Sequence, residues 1–237
     1  MAATETDGSV AVQGGAGSAL PLQSWGVLNG ASLLAGPVAP GEIVTLFGSA
    51  IGPGVVSFDG VPAPILYAGQ SQINLVVPYA VQSKPSTQVQ VTQGGQAIAQ
   101  LQVPVADASP AIFAADGSGA GPGAILNQDF SLNTPSAPAA KGSVVMIFGT
   151  GAGQTDPPGV DGQIAGGALP KPVLPVTVKI GGVAAQVLYA GAAPGLIAGM
   201  LQVNCVIPPD APSGWAIPII ITVGTTPSQP GVTLAIQ

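Results

Sequence analysis

An all-β fold is what this sequence predicts: two β-sandwiches in tandem, the products of an internal duplication, behind an extended N-terminal arm. Three observations predict it. The same words recur in the same order along the chain. Short runs rich in Val and Ile, separated by Gly, Pro, Asp and Asn, fill it from Ile43 onward. No window of ten or more residues holds a helical period.

The repeated words come first, because a repeat decides how every later residue is read. "VLN" at Val27–Asn29 answers "ILN" at Ile125–Asn127. "APGEIVTLFGSAIG" at Ala39–Gly52 answers "AKGSVVMIFGTGAG" at Ala140–Gly153. "DGVPAPILYAG" at Asp59–Gly69 answers "GGVAAQVLYAG" at Gly181–Gly191, and "QINLVVP" at Gln72–Pro78 answers "QVNCVIP" at Gln202–Pro208. The spacing between partners grows from the Asn29–Asn127 pair through Phe47–Phe148 and Tyr67–Tyr189 to Asn74–Asn204. Growing spacing means insertion in the second copy. The largest insertion is a Pro/Gly-rich loop at residues 154–175. The units are therefore residues 25–108 and 109–237, with residues 1–24 as the arm.

The strands follow in order. In the first unit they are Ile43–Gly48, Val55–Phe58, Ala63–Tyr67, Ile73–Val77, Gln88–Thr92 and Ala97–Val105. In the second they are Val144–Phe148, Val176–Ile180, Ala185–Tyr189, Leu201–Ile207, Ile217–Val223 and Gly231–Ile236. "FDGV" and "IGGV" are two-residue hairpin signals, whose central residues favour positive φ. Six or seven short strands per unit fit an Ig-like sandwich. The lone Cys205 rules out the Cys…Trp…Cys disulfide version of it. Gly and Pro, 35 and 25 of 237 residues, act as turn punctuation. A chain that is 47% hydrophobic has ample material for a core.

Longer stretches carry a resemblance. "NGASLLAGPVAPGEIVTLFGSAIGP", "VPAPILYAGQSQINLVVPY", "SPAIFAADGSGAGPGAILNQDFSLNTPSAPAAKGSVVMIFGTGAG" and "GGVAAQVLYAG" resemble a family of C-terminal modules in large secreted proteins of Solibacter-type Acidobacteria. The resemblance covers nearly all of residues 27–237. Each half is also similar to the IPT/TIG group of Ig-like domains, through its "G-x-x-V-x-I-x-G-x-x-[LF]-G" opening and "V-x-[FI]-[GN]-G-V-x-A" hairpin. These resemblances imply tandem Ig-like modules, export and attachment to extracellular assemblies. They supply no catalytic residues.

Charge narrows the function. Only 6% of residues are charged, against about 25% in ordinary domains. There are four Lys (Lys84, Lys141, Lys171, Lys179), no Arg and no His, and the net charge is −6. Phosphate neutralisation has no basis, so nucleic acid is not an expected partner. No apolar run approaches the roughly 18 residues that span a bilayer. The opening "MAATETDGSVAVQGG" has neither a basic nor an apolar signal region, so export implies a signal already removed. So little charge resists association weakly, which suits a protein that packs against copies of itself.

Candidate chemistry is sparse. Without His, the commonest general base and metal ligand is missing. A Ser–Lys pair, Lys141 with Ser143, is the formal remainder, but both fall in the turn before a strand and answer Pro40 and Glu42 of the first unit. No catalytic residue and no cofactor is expected. Asp156 and Asp161 of "TDPPGVDG" could share a Ca²⁺ with loop carbonyls, but they miss the EF-hand spacing, and Asp beside Gly and Pro usually forms turns. "DGSGAGPG" at Asp116–Gly123 lacks the Lys-Ser/Thr of a P-loop and reads as a flexible link between the units. Cys205, in "LQVNCVIP", reads as a buried small hydrophobe.

The repeat assigns Phe47, Phe148, Tyr67 and Tyr189 to the two cores. It gives Asn74 and Asn204 matching buried amides that bond a neighbouring loop. Trp25, Trp215, Tyr79 and Phe130 are unmatched, and Trp25 and Trp215 are candidates for surface contact. The arm carries two alternating pieces, "SVAVQ" and "ALPLQ". Val10, Val12, Leu20 and Leu22 are its candidates for strand addition to a sheet edge. The reading is a non-enzymatic extracellular or cell-surface protein that assembles with copies of itself into a fibre or surface layer. The alternative is a polysaccharide- or surface-binding adhesion module of a larger secreted protein.

Overall fold

The computed structural model describes residues 22–237, with side chains from residue 26 onward. Every regular element described is a strand, apart from one 3₁₀ turn at Tyr79–Val81. The N-terminal half holds β1 (Leu22–Asn29), β2 (Ile43–Gly48), β3 (Val55–Phe58), β4 (Val61–Pro62), β5 (Ile65–Ala68), β6 (Gln72–Val76), β7 (Ser86–Gln93) and β8 (Gln96–Pro104). They form two antiparallel sheets, ordered β1-β2-β6-β5 and β4-β3-β7-β8. Alternation drives this. Val44 and Leu46 of β2, Ile73 and Leu75 of β6, and Val89 and Val91 of β7 point inward at every second residue. With Val56 and Phe58 they fill the space between the sheets.

The C-terminal half holds β9 (Ala111–Ile112), β10 (Gly121–Pro122), β11 (Ile125–Leu126), β12 (Val144–Thr150), β13 (Thr155–Asp156), β14 (Lys171–Pro172), β15 (Val176–Ile180), β16 (Val183–Ala192), β17 (Leu201–Val206), β18 (Gly214–Val223), β19 (Thr226–Pro227) and β20 (Val232–Ile236). All but the β13–β14 ribbon join one sheet assembly around a second core, which includes Val145, Ile147, Val203, Cys205, Ile219 and Ile221. Burial pushes the Cys205 thiol up to about 12.

One substitution explains why two sheets in the first half become one assembly in the second. β16 runs unbroken, pairing first with β15 and then with β17. Its counterpart is cut into β4 and β5 at Pro64, which has no N–H to offer a ladder. The matching residue of the second half is Gln186, and the strand continues.

The repeated words pair alike in both halves. Phe47 lies opposite Gln72, and Phe148 opposite Gln202. Tyr67 lies opposite Asn74, and Tyr189 opposite Asn204. A bulge stands between Ile65 and Tyr67 and again between Val187 and Tyr189. Both hairpin turns have positive φ at their two central residues, Asp59-Gly60 and Gly181-Gly182.

The bulges overturn the expected role of the tyrosines. Ala185 and Val187 pack against the second core, but beyond the bulge it is Ala190 that does so. One extra residue reverses the parity, so Tyr189 leaves the core. Tyr67 is 54% exposed and Tyr189 is half-buried. Each ring lies over the glycine two residues on. A Cβ at Gly69 would stand 2.7 Å from the Tyr67 hydroxyl, and one at Gly191 would stand 2.6 Å from that of Tyr189. The repeated "YAG" is therefore a surface tyrosine folded over a glycine that must lack a side chain. Phe47 and Phe148 are half-buried rather than core residues, because Val44 and Leu46, or Val145 and Ile147, take the inward parity. Phe58 is the large aromatic that is fully buried.

Asn74 and Asn204 also differ from expectation. Each is half-buried, and its side-chain oxygen accepts from the glutamine two residues earlier on the same strand, Gln72 or Gln202, at 2.9 Å. No loop intervenes, because residues i and i+2 share a strand face. "DGSGAGPG" is not an inter-unit link. Its end forms β10 against β20, Ser118 N–H donates to Asp116, and Gly119 lies against the Ser32 backbone, so the segment is a folded loop rather than a flexible one.

Candidate functional site

The most structured site on the molecule is where the halves meet, and it begins with Gly41-Glu42-Ile43. The Ile43 N–H donates to Thr150 Oγ1 at 2.8 Å, and that hydroxyl donates to the Gly199 carbonyl at 2.9 Å. Glu42 is buried. Its Oε1 accepts from Asn29 Nδ2 at 2.8 Å, and its Oε2 from the Ala39 N–H at 2.7 Å. Asn29 Nδ2 also donates to the Ser109 carbonyl at 3.0 Å, the first residue of the second unit. Burial pushes the Glu42 carboxyl up to about 8, outweighing hydrogen bonds to Ala39, Asn29 and Ser109 that favour the charged form. Below that pH it is neutral. Its signal in the sequence is a lone carboxylate opening an apolar strand, "PGEIVTLFG".

The loop inserted in the second half grips the first. The Tyr79 N–H donates to Asp161 Oδ1 at 2.9 Å, and Gln154 Nε2 donates to Gln82 Oε1. The Tyr79 ring is held between Gly41 of its own half and Gly159 of the loop, and a Cβ on either would collide with it. This employs Asp161, one of the two Ca²⁺ candidates, in an inter-half contact. Asp156 lies apart in β13 and is exposed. Among the described residues no three His, Cys, Asp or Glu converge. Nothing in the sequence alone pairs Tyr79 with Asp161, since 82 positions separate them.

Behind this clamp lies a cleft of about 270 Å³. Pro40, Gly41 and Tyr79 wall it from the first half. Residues of the inserted loop and the turn before β17 wall it from the second. Exposed Val160 and Ile164 form its apolar rim.

A second feature is the outer strand of the first sheet. All four residues of β5 are exposed, including Ile65, Leu66 and Tyr67. In the second half the equivalent strand end is covered, because the Ala192 N–H donates to the Pro170 carbonyl of the inserted loop.

The remaining candidates are dispersed. Trp215 stands 73% exposed at the start of β18. Phe130 is equally exposed at a loop tip. Lys141 is exposed, and the Ser143 hydroxyl donates to the Ala140 carbonyl at 2.6 Å. Val10, Val12 and Leu20 lie outside the described residues. Leu22 and Trp25 lie in β1, which pairs with β2 from Leu22 onward, so the strand starts before the expected unit boundary.

No protein-family model and no curated protein matches the chain. Among solved structures it is similar to the surface glycan-binding protein PbSGBP-B from Prevotella bryantii, at 14% identity and a TM-score of 0.29, covering 87% of this chain and 40% of that one. It is also similar to the extracellular region of plexin A4, at 14% identity and a TM-score of 0.30, covering 89% of this chain and 18% of that one. The chain spans less than half the length of either. No described helix is long and apolar enough to cross a membrane.

Proposed function

We propose that the chain is a non-enzymatic interaction module of the extracellular or cell-surface kind, built of two Ig-like sandwiches, and that its partner is a second copy of itself in a fibre or surface layer. The observation that carries this is β5, an apolar sheet edge with all four residues exposed. Such an edge offers unpaired N–H and C=O groups to another strand. Only 6% of the chain's residues are charged, so little charge opposes contact. A strand of four residues beside a bulge makes each contact weak, so assembly depends on concentration. Light scattering across a concentration series tests it. The intact protein should grow in mass, and Leu66→Lys, which places a charge on that edge, should hold it monomeric. A monomer at every concentration sinks the reading.

Trp215 favours a second reading, adhesion to polysaccharide or a cell surface as part of a larger secreted protein. A ring 73% exposed on a strand is an apolar platform in water. Binding to a glycan array that disappears in Trp215→Ala supports it, and binding unchanged by that substitution rejects Trp215 as the platform.

A further inference from the structure

We propose that the cleft between the halves is a binding site for a neutral, hydroxyl-rich ring: a single unit of an uncharged saccharide. This deepens the adhesion reading and stands apart from both β5 and Trp215. Three properties of the walls point to that ligand class.

The first is size. About 270 Å³ lies just below the roughly 300–1,000 Å³ of ordinary small-molecule sites. The second is charge. No Asp, Glu or Lys lines the cleft. Asp156, Asp161 and Lys171 belong to the same loop, but none is among the lining residues. A charged ligand would lose its water and gain no counter-ion.

The third is the pattern of polar groups. Five lining prolines, Pro40, Pro157, Pro158, Pro170 and Pro172, bring carbonyls and no N–H. The Pro170 carbonyl already accepts from the Ala192 N–H and the Pro157 carbonyl from the Thr155 hydroxyl, while Gln163 adds a side-chain amide, so the walls mix acceptors with donors, as a hydroxyl-rich ligand requires. Tyr79 supplies a further donor. Its hydroxyl makes no hydrogen bond with any described residue, although its backbone N–H is held by Asp161. Burial, and then the charge of Asp161, raise the phenol to about 12, so it stays a donor at neutral pH. A ligand that donates to carbonyls, accepts from a phenol, carries no charge and lays C–H faces on Pro, Val and Ile is a sugar ring. A plain aromatic ring meets the apolar walls but leaves the polar groups unanswered.

The two sides of the clamp make the geometry specific. Tyr79 and Gly41 come from one half and the loop from the other, so the cleft exists only while the halves are docked. Ligand-observed NMR on the full chain tests the site. The probes are D-glucose, D-galactose, D-mannose, D-xylose and N-acetylglucosamine, with glucuronic acid and glucosamine as charged counterparts and phenol as the bare ring. At least one neutral sugar should bind saturably, and its charged counterpart at least tenfold more weakly. Gly166→Trp should abolish that binding with an unchanged melting temperature, because Gly166 lines the cleft and a Cβ there meets no atom within 4 Å. Tyr79→Phe, which keeps the ring, should weaken binding about tenfold, and Leu66→Lys and Trp215→Ala should leave it intact. The site is overturned if no neutral sugar binds, if phenol binds and the sugars do not, or if sugar binding survives both cleft substitutions.

Discussion

The two halves build the same central strands and finish them differently. β5 ends the first sheet as a bare edge, while the equivalent end of β16 is covered by the inserted loop. Pro64 cuts the strand in one copy, and Gln186 lets it run on in the other. On matching central strands, a proline leaves one half with a bare surface and a loop gives the other a joint. The loop that covers its own sheet edge also reaches the first half through Asp161 and Gly159.

The largest expected effect tests whether that joint couples the halves. Leu46 and Ile147 are matching, fully buried residues of β2 and β12. Leu46→Ala and Ile147→Ala should each cost about 2–5 kcal/mol. If the joint is tight, both lower one shared calorimetric transition. Two separate transitions, with Leu46→Ala moving only one of them, would show that the halves melt independently.

Next comes the carboxyl at the joint. The Glu42 pKa is raised from 4.5 to about 8, so the folded state holds its proton more tightly than the unfolded chain. Its stabilising contribution is complete below pH 4.5 and is lost as pH rises towards and through 8. The counterpart of Glu42 in the second half is Ser143, which has no such dependence. No histidine titrates across that window. Melting curves from pH 5 to 9 should fall with pH in the native chain and flatten in Glu42→Gln. An equal fall in both proteins would remove Glu42 as the cause.

The smallest effect separates the two tyrosines. The Tyr189 hydroxyl donates to the Ala192 carbonyl at 2.6 Å, and no such bond accompanies Tyr67. Tyr189→Phe should cost about 0.5–1.5 kcal/mol in denaturant titration, and Tyr67→Phe close to nothing. Equal costs would mean that the ring over the glycine, common to both, is what matters.

Much of the frame was legible in the sequence, and the reason is local. Matching words such as "IVTLFG" and "VVMIFG" are single strands, and the order of the words carries the pairing of β2 with β6 and of β12 with β17. What a strand does to its neighbours was less legible. A bulge inserts one residue without any distinctive letter, so on the letters alone the inward parity of Val187 continues to Tyr189. Short pieces such as β9, β10 and β13 exist because distant strands hold them, not because of their own composition. The joint was invisible for the same reason. Tyr79 and Asp161 meet only after both halves have folded.

Cys205 turns this into a measurable clock. It is the single thiol of the chain, it is fully buried in the second core, and its pKa stands near 12. An alkylating reagent meets it only when that half opens, so the rate of labelling reads out how often opening occurs. Its counterpart in the first half is Leu75, also fully buried. Exchanging the two, with Cys205→Leu and Leu75→Cys, moves the clock to the other half without adding a second thiol. The pair of rates then reports, in hours rather than in kilocalories, which half breathes first and whether the other follows.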